Sequence, residues 1–220
     1  KRSGSPGEMF RDIFAGWGFI LKRPQISRIV IAKGMWATGG GAQIFLLILI
    51  GMEADFGDIS TGAAGIGVLY MARGFGSGFG PLVTRPLMTV QRVMPYIIGM
   101  SLGGAGVLYV GVSQLEWGVL TLVLVFFSHG CSGISWVFST TLLQRRTDND
   151  WMGRVAGTDN LIIVLLMGVS TITAGYILEE GIMTLREVLL ITGILQMTVG
   201  ALWLLLASPR ERVFLSSTAA

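Results

Sequence analysis

The sequence predicts an all-α, polytopic membrane protein of six transmembrane helices, and three observations predict it. First, six stretches are almost free of ionisable residues: 34–52, 59–84 (interrupted once, by Arg73), 93–115, 117–144, 160–178 and 188–209. Each approaches or exceeds the roughly 17–25 residues that a helix needs to cross a bilayer. Second, 52% of the 220 residues are hydrophobic and 13% are charged, with a mean hydropathy of +0.69. A soluble domain carries about 25% charged residues, so lipid is the expected solvent. Third, the charges are sided. Of the 16 Lys and Arg, thirteen fall at one set of span ends: Lys1, Arg2, Arg11, Lys22, Arg23, Arg28, Arg85, Arg92, Arg145, Arg146, Arg154, Arg210 and Arg212. Glu53, Asp55, Asp58, Glu116, Glu179, Glu180 and Glu187 fall at the other, with Arg186. The excess of basic residues on one side places both termini in the cytoplasm. An even number of spans returns the chain to that side, so the count and the charge pattern agree.

Residues 1–24 read as a cytoplasmic tether followed by an amphipathic interfacial helix. Met9, Phe10, Ile13, Phe14, Trp17, Ile20 and Leu21 recur at helical spacing, with Arg11, Asp12, Lys22 and Arg23 beside them. The bundle then occupies 25–209, with approximate spans 27–52, 59–84, 93–114, 117–144, 154–178 and 186–208. Residues 210–220 read as a cytoplasmic tail, poorly ordered from Val213. Trp17, Trp117, Trp151 and Trp203 fall near expected interfaces, where indole is favoured. Trp36 and Trp136 lie deeper and are expected to pack.

Few residues within the spans can carry chemistry. Arg73 sits mid-span, where a charge costs several kcal/mol unless paired or wetted. It reads as an anionic-substrate contact or gating ion pair, or as a salt bridge that locks neighbouring spans. Asp159 reads as a proton site or latch, or as a carboxylate favoured by a helix N-terminus and reached by water. Pairing with Lys33 or with Arg73 is a further reading, and the sequence leaves both open. Lys33, five residues past Arg28, is expected to snorkel to the headgroups. His129, the single histidine, suits proton coupling by its titration range, or serves as a neutral group bonded within the bundle. Gln43 and Gln196 face a cavity or join two helices, and Gln43 is the better cavity candidate. Gly74, Gly76, Gly78 and Gly80 form two small-xxx-small pairs and predict close helix crossings, with Gly99 and Gly103 as another face.

Several function classes are disfavoured. The single Cys131 allows no intrachain disulfide or multi-cysteine metal site, and no metal or other cofactor is expected. No basic and aromatic groove points to nucleic acid. Gly130-Cys131-Ser132-Gly133 resembles the Gly-x-Ser-Gly of intramembrane serine proteases. Those enzymes need a histidine on another helix to activate the serine, whereas His129 precedes Ser132 by three residues on one helix. The chain is read as a transporter, not an enzyme.

Three segments resemble the major facilitator superfamily. Phe10-Arg11-Asp12-Ile13 through Gly16, Phe19 and Lys22-Arg23-Pro24 resembles the linker into the second half of its exporters. Gly67-Val68-Leu69-Tyr70-Met71-Ala72-Arg73-Gly74-Phe75-Gly76 through Gly80-Pro81-Leu82 resembles its eighth helix. Ser139-Thr140-Thr141-Leu142-Leu143-Gln144-Arg145, then Gly153-Arg154-Val155, is similar to the loop between its tenth and eleventh helices. The subgroup is that of siderophore, macrolide and drug exporters. There are departures: the loop 147–151 has no proline, Met152 stands where a basic residue is common, and the loop 85–92 lacks the acidic member of the signature loop.

The resemblance implies the C-terminal six-helix half of such an exporter, built as two three-helix inverted repeats. It implies alternating access by a secondary exporter in the plasma membrane, the bacterial inner membrane in particular, with a small, drug-like or amphipathic substrate. The partners implied are the lipid bilayer, the substrate, and an N-terminal half ahead of Lys1 or a second copy of the chain. His129, Gln43 and Arg73 become candidates for the substrate or proton pathway. Asp159, Lys33, Arg154 and Arg85 become candidates for gating or contact between halves. The competing expectation is a self-associating six-helix protein, either a dimeric transporter or a structural subunit of a larger membrane complex.

Overall fold

In the computed structural model, which describes residues 6–57 and 62–217, the apolar stretches fold as helices and the charged runs form the turns. Lys1, Arg2, Asp58, most of the expected tether, the start of the second expected span and the end of the tail lie outside the described residues. So do the side chains of Met9, Phe10 and Arg212. Helix α1 (Pro6–Leu21) precedes α2 (Pro24–Glu53), α3 (Ala63–Thr84), α4 (Met94–Gln114), α5 (Val119–Arg146), α6 (Asn149–Glu179), α7 (Leu185–Leu202) and α8 (Ser208–Ser217). A 3-10 turn, Arg85–Thr89, follows α3, and a π turn, Trp203–Ala207, joins α7 to α8.

Local chemistry sets the boundaries. Pro24 opens α2, where its missing N–H loses no helical bond. Thr184 and Glu187 cap α7 reciprocally: Thr184 Oγ1 accepts from the Glu187 N–H, and Glu187 Oε2 accepts from the Thr184 N–H at 2.7 Å. Pro81 lies in the last turn of α3, and the chain tightens into the 3-10 turn soon after. Trp203 Nε1 donates to the Pro95 carbonyl at 2.6 Å, which anchors the π turn against the start of α4.

Among the described residues, five helices are long and apolar enough to cross a membrane: Pro24–Glu53, Met94–Gln114, Val119–Arg146, Asn149–Glu179 and Leu185–Glu211. Six were expected. Helix α3 has the length, at 22 residues, but Arg73 and its many glycines dilute its apolar character. The outer surface of α6 is apolar, with Val164, Leu165, Val169 and Ile172 all exposed. Long helices with apolar outer faces are compatible with a multi-pass membrane protein.

The C-terminal segment differs from expectation. Helix α8 runs to Ser217, and the Glu211 carboxylate, expected in a cytoplasmic tail, is wholly buried between Arg28 at 2.7 Å and Arg146 at 2.6 Å. Helix α1 packs on α6 and α2. Phe19 and Ile20 are buried, whereas Phe14, Trp17 and Leu21 remain exposed.

In the bundle, α2 packs on α6, α3 on α5, α4 on α7, α4 on α5, and α2 on α3 and α7. Glycines make several of these approaches. A Cβ at Gly76 or Gly80 would collide with the Phe126 or Gly130 carbonyl of α5, and one at Gly41 with the Met167 backbone of α6. Gly200 meets Gly103 and Gly99 in the same way. The other expected pair does not pack: a methyl at Gly74 or Gly78 would meet no described atom within 4 Å.

The buried apolar side chains fall into two clusters. One, with Ile26, Ile29, Met94, Leu102, Phe138, Leu142 and Val155, lies toward the basic ends. The other, with Leu46, Leu47, Ile50, Leu69, Tyr109, Val125 and Leu189, lies toward the acidic ends. Between them along the helices run buried polar residues: Lys33 on α2, Ser132 and Ser135 on α5, Asp159 on α6, and Thr192 and Gln196 on α7. The glycine contacts set a test of the α3 packing. Gly76→Ala and Gly80→Ala are each expected to cost about 1–3 kcal/mol through overpacking. Gly74→Ala and Gly78→Ala should be neutral or stabilising by up to about 1 kcal/mol. Thermal unfolding in detergent micelles checks this.

Candidate functional site

The candidate site forms where α2, α3 and α5 meet. Gln43 lies ten residues before Glu53 on α2. Arg73 lies ten residues after Ala63 on α3, and His129 lies ten residues after Val119 on α5. Each is therefore roughly 15 Å from the acidic end of its helix at 1.5 Å per residue, so the three share one level. All three line a single cleft of about 330 Å³, together with Trp36, Ser77, Ser132, Gly133, Trp136 and Met167.

The cleft is a mixed surface. The Trp36 and Trp136 rings stand 5.9 Å apart, tilted by 59°, and Trp136 is 39% exposed. Gln43 is 2% exposed, and its Nε2 has no protein partner among the described residues. Arg73 Nε and Trp36 Nε1 are likewise buried without a protein partner there. The Arg73 guanidinium carbon lies 5.7 Å from the Tyr70 ring centroid, and no carboxylate forms an ion pair with Arg73 among the described residues. The gating ion pair considered for Arg73 is thus not made within the described chain. His129 is buried, and its Nε2 shares a hydrogen bond of 2.8 Å with the Tyr109 hydroxyl of α4.

A second polar site lies toward the basic ends. Lys33 Nζ is 2.5 Å from Asp159 Oδ2, donates to Thr140 Oγ1 at 3.3 Å, and sits 4.6 Å from the Trp136 ring centroid. Lys33 is 6% exposed and Asp159 4%. Lys33 therefore does not snorkel, and Asp159 is not a water-reached carboxylate: each is the buried partner of the other. The pair joins α2 to α6, and Thr140 adds α5. The shared Trp136 sets this pair directly beside the cleft.

The remaining candidates lie elsewhere. Arg154 donates to Asp12 Oδ1 at 2.9 Å and lies over Trp151, which stacks on Phe19 at 4.5 Å. It ties α1 to α6. Arg85 is exposed at the start of the 3-10 turn. Gln196 is fully buried on α7, where a Cβ added at Gly39 of α2 would lie 3.4 Å from its Cγ.

Sequence reasoning missed Trp36 and Trp136 as cleft residues, and it missed Tyr109 and Glu211. The signal for the tryptophans was helical spacing. Trp36 precedes Gln43 by seven residues and Trp136 follows His129 by seven, so each lies two turns along the same helix face. Tyr109 and Glu211 are defined by contacts between distant helices and have no such local signal.

No protein-family model, no curated protein and no solved structure matches the chain. The arrangement can offer hydrogen bonds from fixed donors, one cationic side chain, and aromatic surface to a small solute. The ion pair beside it supplies a direct test. Lys33→Met is expected to cost about 3–5 kcal/mol, because it strands the Asp159 carboxylate in the interior. Lys33→Met combined with Asp159→Leu should recover most of that loss, as measured by thermal unfolding in detergent.

Proposed function

We propose that this chain is one six-helix half of a secondary transporter, which binds small solutes in the cleft and exports them by alternating access. The observation that carries the reading is the convergence of Gln43, Arg73 and His129, from three helices and at one level, on a cleft of about 330 Å³. Secondary transporters place substrate near the midplane, between repeats that rock against each other. Helix α3 is taken as the sixth span. At 22 residues it is about 33 Å long, which is enough to cross a hydrocarbon core of about 30 Å. Its glycines and Arg73 suit a helix that lines a path.

The order of packing supports an internal repeat. Exchanging α2–α4 for α5–α7 carries the α2/α6 pair onto α5/α3 and the α4/α5 pair onto α7/α2, and it leaves α4/α7 as itself. Each of these pairs is packed, whereas α2/α3 has no counterpart of like extent in α5/α6. The outward Gly74 and Gly78 lie on α3 near the cleft, among the exposed Met71, Phe75 and Leu82, and offer that face to a second half or a second copy of the chain. Export, rather than uptake, rests on the resemblance of the sequence motifs. The cytoplasmic placement of the basic ends rests on the charge asymmetry.

A structural subunit would leave the cleft dry, and that separates the readings. In a Cys131→Ser background, Gln43→Cys and Ser132→Cys are expected to react with a membrane-impermeant thiol reagent in sealed vesicles. Ile172→Cys, on the exposed apolar face of α6, should stay unreactive. Failure of both cleft positions to react from either side of the membrane would overturn the solute-path reading.

A further inference from the structure

The cleft is lined by donors that lack acceptors. Arg73 Nε and Trp36 Nε1 are buried and without a protein partner among the described residues, as is Gln43 Nε2. Arginine and indole nitrogens donate only, and the Gln43 amide can present either its donors or its acceptor. No Asp or Glu among the described residues lines the cleft. The nearby Lys33 charge is matched by Asp159, so the uncompensated charge at this level is the single guanidinium of Arg73. A buried donor without an acceptor costs about 1–3 kcal/mol, and more when it is charged. At mid-helix depth in lipid that cost is relieved when the missing acceptors are supplied by whatever occupies the cleft.

We propose that the cleft binds organic monoanions with a flat apolar body. The carboxylate, or an equivalent anionic group, accepts from Arg73, with Trp36 Nε1 and Gln43 as neighbouring donors. The body lies against the indole faces of Trp36 and Trp136, whose rings stand 5.9 Å apart. A cleft of about 330 Å³ is at the small end of ligand sites, which run from about 300 to 1,000 Å³. One positive charge selects one negative charge. A divalent anion would bury an unmatched charge, and an organic cation would face Arg73 directly. An acidic side chain from a partner helix would meet Arg73 but leave the recess and the other donors unfilled. The inference rests on the reading of the cleft as a solute site.

The test is equilibrium binding to the full chain in phosphatidylcholine nanodiscs, with 1-naphthoate and 1-naphthylmethylammonium as probes of opposite charge on one bicyclic body. Binding of 1-naphthoate should be saturable, with the ammonium at least about ten-fold weaker, the scale of one charge-assisted hydrogen bond. Arg73→Gln should weaken 1-naphthoate by about ten-fold or more, whereas Arg73→Lys should retain most of the affinity. Trp36→Phe, which keeps an aromatic ring and removes the donor, should weaken it by a smaller factor and keeps the test open if Arg73→Gln does not fold. Equal binding of the two probes, an affinity unmoved by Arg73→Gln, or no saturable 1-naphthoate binding would each overturn the proposal. Binding is read without flux. Arg73-dependent 1-naphthoate binding, with neither cleft cysteine reactive from either side of the membrane, would leave this inference standing and overturn the solute-path reading alone.

Discussion

Polar groups held at mid-helix depth, inside a body otherwise built of apolar side chains, are the constraint around which this structure is arranged. Lipid offers no hydrogen bonds, so every such group must find its partner within the protein or open onto a cavity. The two solutions stand side by side. Lys33 and Asp159 neutralise each other between α2 and α6, with Thr140 completing the contact. Arg73, Gln43 and Trp36 do not pair, and they turn toward a cleft instead. The apolar clusters above and below flank this belt, so the polar groups are concentrated between them.

Close backbone approach is the second condition, and glycine provides it selectively. Helices α3 and α5 come together because Gly76 and Gly80 carry no Cβ to strike the opposing carbonyls. Residues two apart on a helix are separated by about 200°, so the alternate glycines 74 and 78 point nearly the opposite way. The same tetrad therefore provides a packed face and an open face. Helix α3 can rest on α5 while its other side, where Met71, Phe75 and Leu82 stand exposed beside Gly74 and Gly78, stays unpacked among the described residues.

Much of the architecture was legible because charge is scarce. The uncharged stretches fell within the long helices, although α2 and α6 begin about ten residues ahead of theirs, and the sidedness of Lys and Arg distinguished the two sets of ends. Length and charge did not disclose which helices touch. The partner of Asp159 was open between Lys33 and Arg73 because sequence spacing gives depth along a helix and not the identity of the neighbour. The glycine tetrad was visible, but which of its two faces would be packed was not. The tail misled for a related reason. Ser-Pro-Arg-Glu-Arg reads as polar and solvent-facing, and only the tertiary placement of Arg28 and Arg146 makes Glu211 an interior residue. The cleft was half legible: its three polar members stood out as rare residues, whereas its tryptophans were read as packing.

The Glu211 contact has a consequence for biosynthesis. Its carboxylate meets Arg28, which lies 183 positions earlier in the chain, and Arg146 as well. Ribosomes deliver a polypeptide from its amino end, so both guanidinium groups enter the membrane region well before their shared counter-ion is made. Until α8 emerges, those arginines must be held by other groups. Contacts between distant segments form late and slowly. Closure of this ionic clasp therefore waits for α8, which it joins to α2 and α5.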